Sequence, residues 1–275
     1  MNKLLKNILL WVIALVVMLS AYTYQKMTGP TYPKKIHTEI NGVTYDLKLP
    51  RSSDAIGDEE IILNIPDKAV TGYITYVRYK SFDSVTKQTL VRDGNALKGF
   101  IPHQNPAGKV VYNIFLSSNN GPAKQINDDK IIIRFKGQVP SYILFPHIAF
   151  IFFAMWFAVR AGIEAITKGD NVNMLTICTV ILIFFGGLVL GPIMQKFAFG
   201  AYWTGWPFKG LLNFGDMTDN KTAVMFFSWV IALWRISVNK EKKWWAVFAM
   251  IVTLITFIIP HSILGSEIDH TQINR

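Results

Sequence analysis

Apolar residues fall into five long runs, Ile8–Tyr22, Tyr142–Val159, Met174–Met194, Thr222–Ile236 and Trp244–Ile259. The later four each approach the roughly 20 residues that a helix needs to cross about 30 Å of hydrocarbon, and Thr222–Ile236 is the shortest of those four. The pattern predicts five transmembrane helices. Lys3 and Lys6 precede the first run as they would in a signal peptide. No convincing small-x-small cleavage site follows, so residues 1–25 read as an uncleaved signal anchor, with a cleaved signal as the alternative.

Between the first two runs, residues 36–136 alternate polar and apolar positions in short stretches. These are Ile36–Ile40, Thr44–Leu49, Glu60–Ile65, Gly72–Tyr79, Lys87–Arg92, Leu97–Ile101, Lys109–Leu116 and Lys130–Phe135. Turn signals separate them at Asn41-Gly42, Asp93-Gly94, Pro106–Gly108 and Asn119–Pro122. Six to eight strands at this spacing predict an all-β immunoglobulin-like or fibronectin-III-like sandwich. The expected division is 1–25 first helix, 26–140 sandwich, 141–263 four-helix domain with an aromatic loop at 195–221, and 264–275 tail.

Composition agrees with a membrane protein: 51% of residues are hydrophobic, 13% aromatic and 17% charged. Cys178 is the only cysteine, which excludes an intramolecular disulfide, a four-cysteine cluster and c-type haem attachment. The net charge of +10 does not point to nucleic acid, because residues 26–138 hold 16 Lys/Arg against 11 Asp/Glu, a net of +5, with no basic run.

Charge does orient the chain. Lys3 and Lys6, Arg160 and Lys168, and Arg235, Lys240, Lys242 and Lys243 flank the runs on one side, while Lys196, Lys209 and Lys221 weaken the bias from the other. The reading is a multi-pass protein of the bacterial inner membrane, with the amino terminus cytoplasmic and the sandwich and carboxy terminus periplasmic.

Candidate chemistry gathers on the outer side. Gln195–Phe208 is aromatic and glycine-broken, with Trp203 and Trp206 suited to an interfacial belt. Asp216, Asp219 and Asn220 follow; Asp219 or Asn220 can cap a helix starting near Lys221, or the carboxylates can ligate a hard cation. After the last run come His261, Glu267, Asp269 and His270. Asp216, Asp219 and Glu267 thus form a candidate metal set, and a solvated tail is the plain alternative. His147, after Pro146, and His261, after Pro260, are expected at similar depth, as two-helix ligation of a b-type haem or quinone binding would require. Arg160 and Glu164 stand four apart and read as a structural pair. Gly186-Gly187 and Gly191-Pro192 suit close packing or a kink. Hydrolase elbows, phosphate loops and dinucleotide fingerprints are absent from the sequence.

The segments Thr28–Pro33, Pro102–Lys109, Gln195–Phe208 with Asp216–Thr222, and His261–Glu267 together resemble a family of uncharacterised bacterial integral membrane proteins. In that family the aromatic loop reads Trp-Pro-Phe-Gly and then Asp-x-Thr-Asp-Asn-Lys; here Lys209–Asn213 intervenes. The resemblance implies architecture and motif residues and names no reaction or cofactor. Three functions stay open. The first is a non-enzymatic accessory or assembly subunit holding an envelope protein partner at the bilayer. The second is a metal-dependent membrane enzyme using Asp216, Asp219, His261 and Glu267. The third is an electron-transfer component binding haem or quinone through His147 and His261.

Overall fold

The computed structural model describes residues 2–54, 56–119, 121–200, 217–259 and 268–271, with residues 217–219 described by backbone alone. The chain divides into two compact units, one of residues 1–30 and 139–265, the other of 31–138 and 266–275.

The first unit is helical: α1 (Lys3–Thr28), α2 (Ser141–Ile166), α3 (Val172–Phe199), α4 (Met217–Val238) and α5 (Trp244–Ile258). Four helices are long and apolar enough to cross a membrane: α1, α2, α3 and, from Asn220, α4. The fifth, α5, is apolar and shorter. The shortest element is thus α5, with 15 residues, and not the helix of the fourth run, which extends to 22 because it begins before the apolar run does. At 1.5 Å per residue α5 is about 22 Å long.

Small residues set the packing. Ala154, Ala158, Ala161 and Ala165 recur on one stripe of α2 and let its backbone approach α3 and α5 closely. Trp229 fills the middle of the bundle, fully buried, and its indole Nε1 donates to Thr253 Oγ1 at 2.7 Å. α1 belongs to the same bundle: its Trp11 carbonyl accepts from Trp156 Nε1 at 3.0 Å, and Ala14, Met18 and Ala21 are buried.

Polar side chains join the helix ends in alternating sense. At one end Arg160 Nη1 lies 2.7 Å from Glu164 Oε2, as the four-residue spacing predicts. Arg160 Nη2 donates to Asn7 Oδ1 at 2.9 Å, and Glu164 Oε1 accepts from the Asn171 amide at 3.2 Å. Lys243 Nζ, between α4 and α5, donates to Gly169 O at 2.7 Å. The start of α1, the end of α2 and the starts of α3 and α5 therefore meet there.

The second unit is all-β. Its strands are β1 (Lys34–Ile40), β2 (Val43–Leu49), β3 (Ser52–Ser53), β4 (Glu59–Asn64), β5 (Val70–Arg78), β6 (Thr86–Thr89), β7 (Val91–Asp93), β8 (Ala96–Ile101), β9 (Lys109–Ser118), β10 (Lys124–Gln125) and β11 (Ile131–Phe135). One sheet runs β3-β11-β9-β5-β6 with β10 on β9, a second runs β4-β8-β7, and β1-β2 is a separate hairpin. All pairings are antiparallel except β3 with β11. Inward positions of all three sheets, among them Leu49, Ile61, Leu97, Ile74, Ile114 and Ile133, make one core.

The strand count exceeds the six to eight expected, for local reasons. The run Lys87–Arg92 is two strands, because Leu90 turns inward and β6 and β7 join different sheets. β3 and β10 are two residues each and too short to leave an alternation. The Asn41-Gly42 signal holds, with both residues at positive φ in the β1–β2 turn, as a type I′ hairpin needs. Residues 268–271 also belong to this unit, where the His270 amide donates to Lys80 O at 3.0 Å.

Candidate functional site

The end of the helical unit away from Arg160 holds a belt of polar groups. In α3, residues Phe184–Leu190 are π-helical, followed by Gly191-Pro192. A π stretch displaces the carbonyl–amide ladder, and Pro192 brings no N–H to it. His147, the seventh residue of α2, meets this break: its Nδ1–H donates to Gly186 O at 2.8 Å. A carbonyl only accepts, so Nδ1 carries a proton. A Cβ on Gly186 would lie 2.7 Å from Phe150 Cβ, and one on Gly187 would lie 2.6 Å from Thr222 Cγ2. The two glycines therefore bring α2 and α4 against the break.

Lys221 lies beside Thr222 in α4. It is buried, and its Nζ donates to Ile259 O at 2.8 Å, where the last carbonyls of α5 have no partner within the helix. Gln25, near the end of α1, donates its amide to Phe257 O at 2.5 Å. An ammonium at a helix carboxyl terminus also meets the negative end of the dipole. The belt thus runs from His147 through Gly186-Gly187, Thr222 and Lys221 to the end of α5 and Gln25. Gln195, also buried, lies on the same end of α3.

The structure changes the reading of several motif residues. α3 continues to Phe199, with Gly200 at positive φ as its cap, so Gln195 and Lys196 are helical and not in a loop. α4 starts at Met217, so Asp219 and Asn220 lie inside its first turns and not at its cap. The physical reason is that the polar residues before Thr222 continue the helix, an arrangement that an apolar count cannot register. Lys221 is accordingly a buried helix residue, not a loop charge. Asn220 is half-buried. Trp203, Trp206, Asp216, His261 and Glu267 lie outside the described residues, as does the side chain of Asp219. Of the candidate pair, His147 stands in the belt, and α5 ends in the same belt, at Ile258. Among the described residues, no group of three or more His, Cys, Asp and Glu is placed to hold a metal ion.

Lys221 and Gln25 are the residues that sequence reasoning passed over. Their signal was a polar residue at the edge of an apolar helix, which reads as a simple flank unless a helix end is known to face it.

The β-unit has two further features. On the outer face of β4-β8-β7, Ile62, Val91 and Phe100 are exposed, Phe100 by 41% and Val91 by 65%. Ile62 and Val91 both pair with Lys98 across the sheet, and Phe100 is two residues along β8, so the three share one face. Lys98 Nζ sits among them, 3.0 Å from Glu60 and 2.9 Å from Asp93, and these carboxylates hold its ammonium above the usual lysine range. After β5, Asp83 accepts from Arg78 Nε at 2.5 Å and from Nη2 at 2.9 Å, and the guanidinium lowers its carboxyl to about 2. His270 Nδ1 lies 3.5 Å from Arg78 Nη1. No family model, no curated protein and no solved structure matches the chain.

The helical belt can orient an imidazole and bury one ammonium. The exposed sheet face can receive an apolar surface edged with charge.

Proposed function

We propose that this chain is a multi-pass subunit of a bacterial inner membrane that presents an immunoglobulin-like β-unit to the periplasm and holds an envelope protein partner with it. The carrying observation is the outer face of β4-β8-β7, where Ile62, Val91 and Phe100 surround a charged triad. Exposed apolar side chains set around a fixed ion-pair cluster offer a partner both apolar area and a charge pattern to match.

Further observations support the setting. The sheet orders β4-β8-β7 and β3-β11-β9-β5-β6, antiparallel except for β3 on β11, support an immunoglobulin-like reading. With Lys221 buried in α4, the loop charges fall more heavily beside Lys3, Lys6, Lys240 and Lys242, which favours a cytoplasmic amino terminus.

The test is a photo-crosslinking residue at Phe100 or Val91, compared with one at exposed Thr86, in cells making the full chain. The reading expects one discrete adduct from the first two positions and its loss on Ile62→Asp with normal membrane abundance. Equal background adducts at all three positions would sink it.

A second reading, haem or quinone binding, is favoured by one observation. Histidines that ligate iron commonly donate their other ring N–H to a carbonyl, as His147 does to Gly186. An absorption spectrum of the purified protein, oxidised and reduced, tests it directly.

A further inference from the structure

At the end of the bundle shared by Arg160, α4 and α5 are joined by residues 239–243, Asn-Lys-Glu-Lys-Lys. The turn is built, not loose: Asn239 Oδ1 accepts from the Glu241 amide at 2.9 Å, and the Lys242 amide donates to Asn239 O at 3.0 Å. Four cations against one carboxylate lie between 235 and 243. Lys243 is engaged with Gly169 O and stands 3.9 Å from Asp170. Lys240 and Lys242 have no ion pair among the described residues.

Arg235 is held in place by two rings, its guanidinium carbon 5.7 Å from the centre of Trp234 and 5.4 Å from that of Trp245. Its Nε is buried without a hydrogen-bond partner among the described residues. The amino terminus of α5 lies beside it with no acidic residue in its first turn; the Trp245 and Ala246 amides donate to Lys242 O and Lys243 O at 3.2 and 3.0 Å, so the helix start offers an anion the positive end of its dipole. A helix start that lacks its own anion attracts one. Trp234 and Trp244 are exposed by 61% and 67%, and the apolar side chains of Ile231, Phe248 and Ile251 continue outward from them.

The geometry points to a binding site for an acidic glycerophospholipid. Its phosphate sits between Arg235, Lys240, Lys242 and the α5 amino terminus, and its acyl chains lie against Trp234, Trp244 and Phe248. A soluble anion would use the cations and leave the exposed indoles and apolar faces without a role. Basic clusters at the cytoplasmic ends of spans recognise acidic headgroups in this way. The inference rests on the reading that the helices cross a membrane.

The test uses the full-length protein purified in mild detergent, offered equal phosphatidylglycerol and phosphatidylcholine, with retained lipid counted by native mass spectrometry. Wild type is expected to retain phosphatidylglycerol at least about fivefold over phosphatidylcholine, the worth of roughly one basic residue at an acidic surface. Lys240→Gln with Lys242→Gln should bring the ratio near one. Arg235→Lys, which keeps the charge and loses the stacking, should lower it partway. Millimolar inorganic phosphate should not displace the lipid. Equal retention by wild type, an unchanged ratio in the double variant, or displacement by phosphate would each overturn the site. Alkaline carbonate extraction separates the two failures: release from membranes would overturn the membrane reading itself, whereas an integral protein without lipid preference would overturn only this site.

Discussion

Arg160 and Glu164 face each other 2.7 Å apart with side chains 3% and 7% exposed, and Arg160 Nη2 donates to Asn7 Oδ1 of the first helix at 2.9 Å. A buried pair is weak evidence for stability, but removing one partner strands a charge. Arg160→Ala is therefore expected to cost on the order of 3–5 kcal/mol, and the double change to methionine much less. Thermal unfolding in detergent measures both. A double variant as unstable as the single one would contradict this view of the pair.

Two glycines in the β-unit should separate steric from conformational demand. A Cβ on Gly72 would lie 2.4 Å from Phe115 O, a backbone atom that cannot swing aside. Gly72→Ala should cost roughly 1–3 kcal/mol or more through overpacking. Gly42 has open space around it and φ of +76°, so Gly42→Ala should cost about 1 kcal/mol from the left-handed backbone alone. Equal losses on denaturation would refute the distinction.

The hairpin around Asn41-Gly42 and the outline of most strands were legible because burial of one face imposes a two-residue period. The long helices were legible because they are apolar on nearly every side. Legibility failed where neighbours decide the structure. Nothing in Lys87–Arg92 itself says that Leu90 divides it between two sheets. Lys221 is written like a flanking charge, yet the carbonyl end of α5 holds it inside the bundle. The π stretch at Phe184–Leu190 follows from packing of Gly186 and Gly187 against two helices, of which the sequence shows only the small residues. The pair Arg160–Glu164 was visible from spacing, whereas the contribution of Asn7 required the fold.

The Asp83 carboxylate gives the β-unit an acid-sensitive brace. Its folded pKa, about 2, lies below the ordinary value near 3.9. Its stabilisation is therefore complete above about pH 4 and is lost as pH falls toward 2. Asp269 is lowered in the same direction by hydrogen bonds from the Thr271 hydroxyl and amide. Wild type should lose more thermal stability between pH 5 and pH 3 than Asp83→Asn does, and parallel losses would argue against the brace.

His147→Phe would leave Gly186 O without its donor inside the bundle. The expected cost is about 1–3 kcal/mol, the usual penalty for a stranded buried polar group. If His147 also ligates a cofactor, the same change should abolish an absorption band that wild type shows. Loss of stability without any band in wild type would leave the histidine as a helix fastener.

The most direct measurement is labelling by a membrane-impermeant maleimide in intact cells with a permeable outer membrane. Cys178→Ala serves as background, with single cysteines at Gly57 in the β-unit and at Lys240 between α4 and α5. A multi-pass subunit with a periplasmic β-unit predicts that Gly57→Cys is labelled at once and Lys240→Cys only after the inner membrane is opened. Labelling of both positions in intact cells, or of Lys240→Cys alone, would contradict the account.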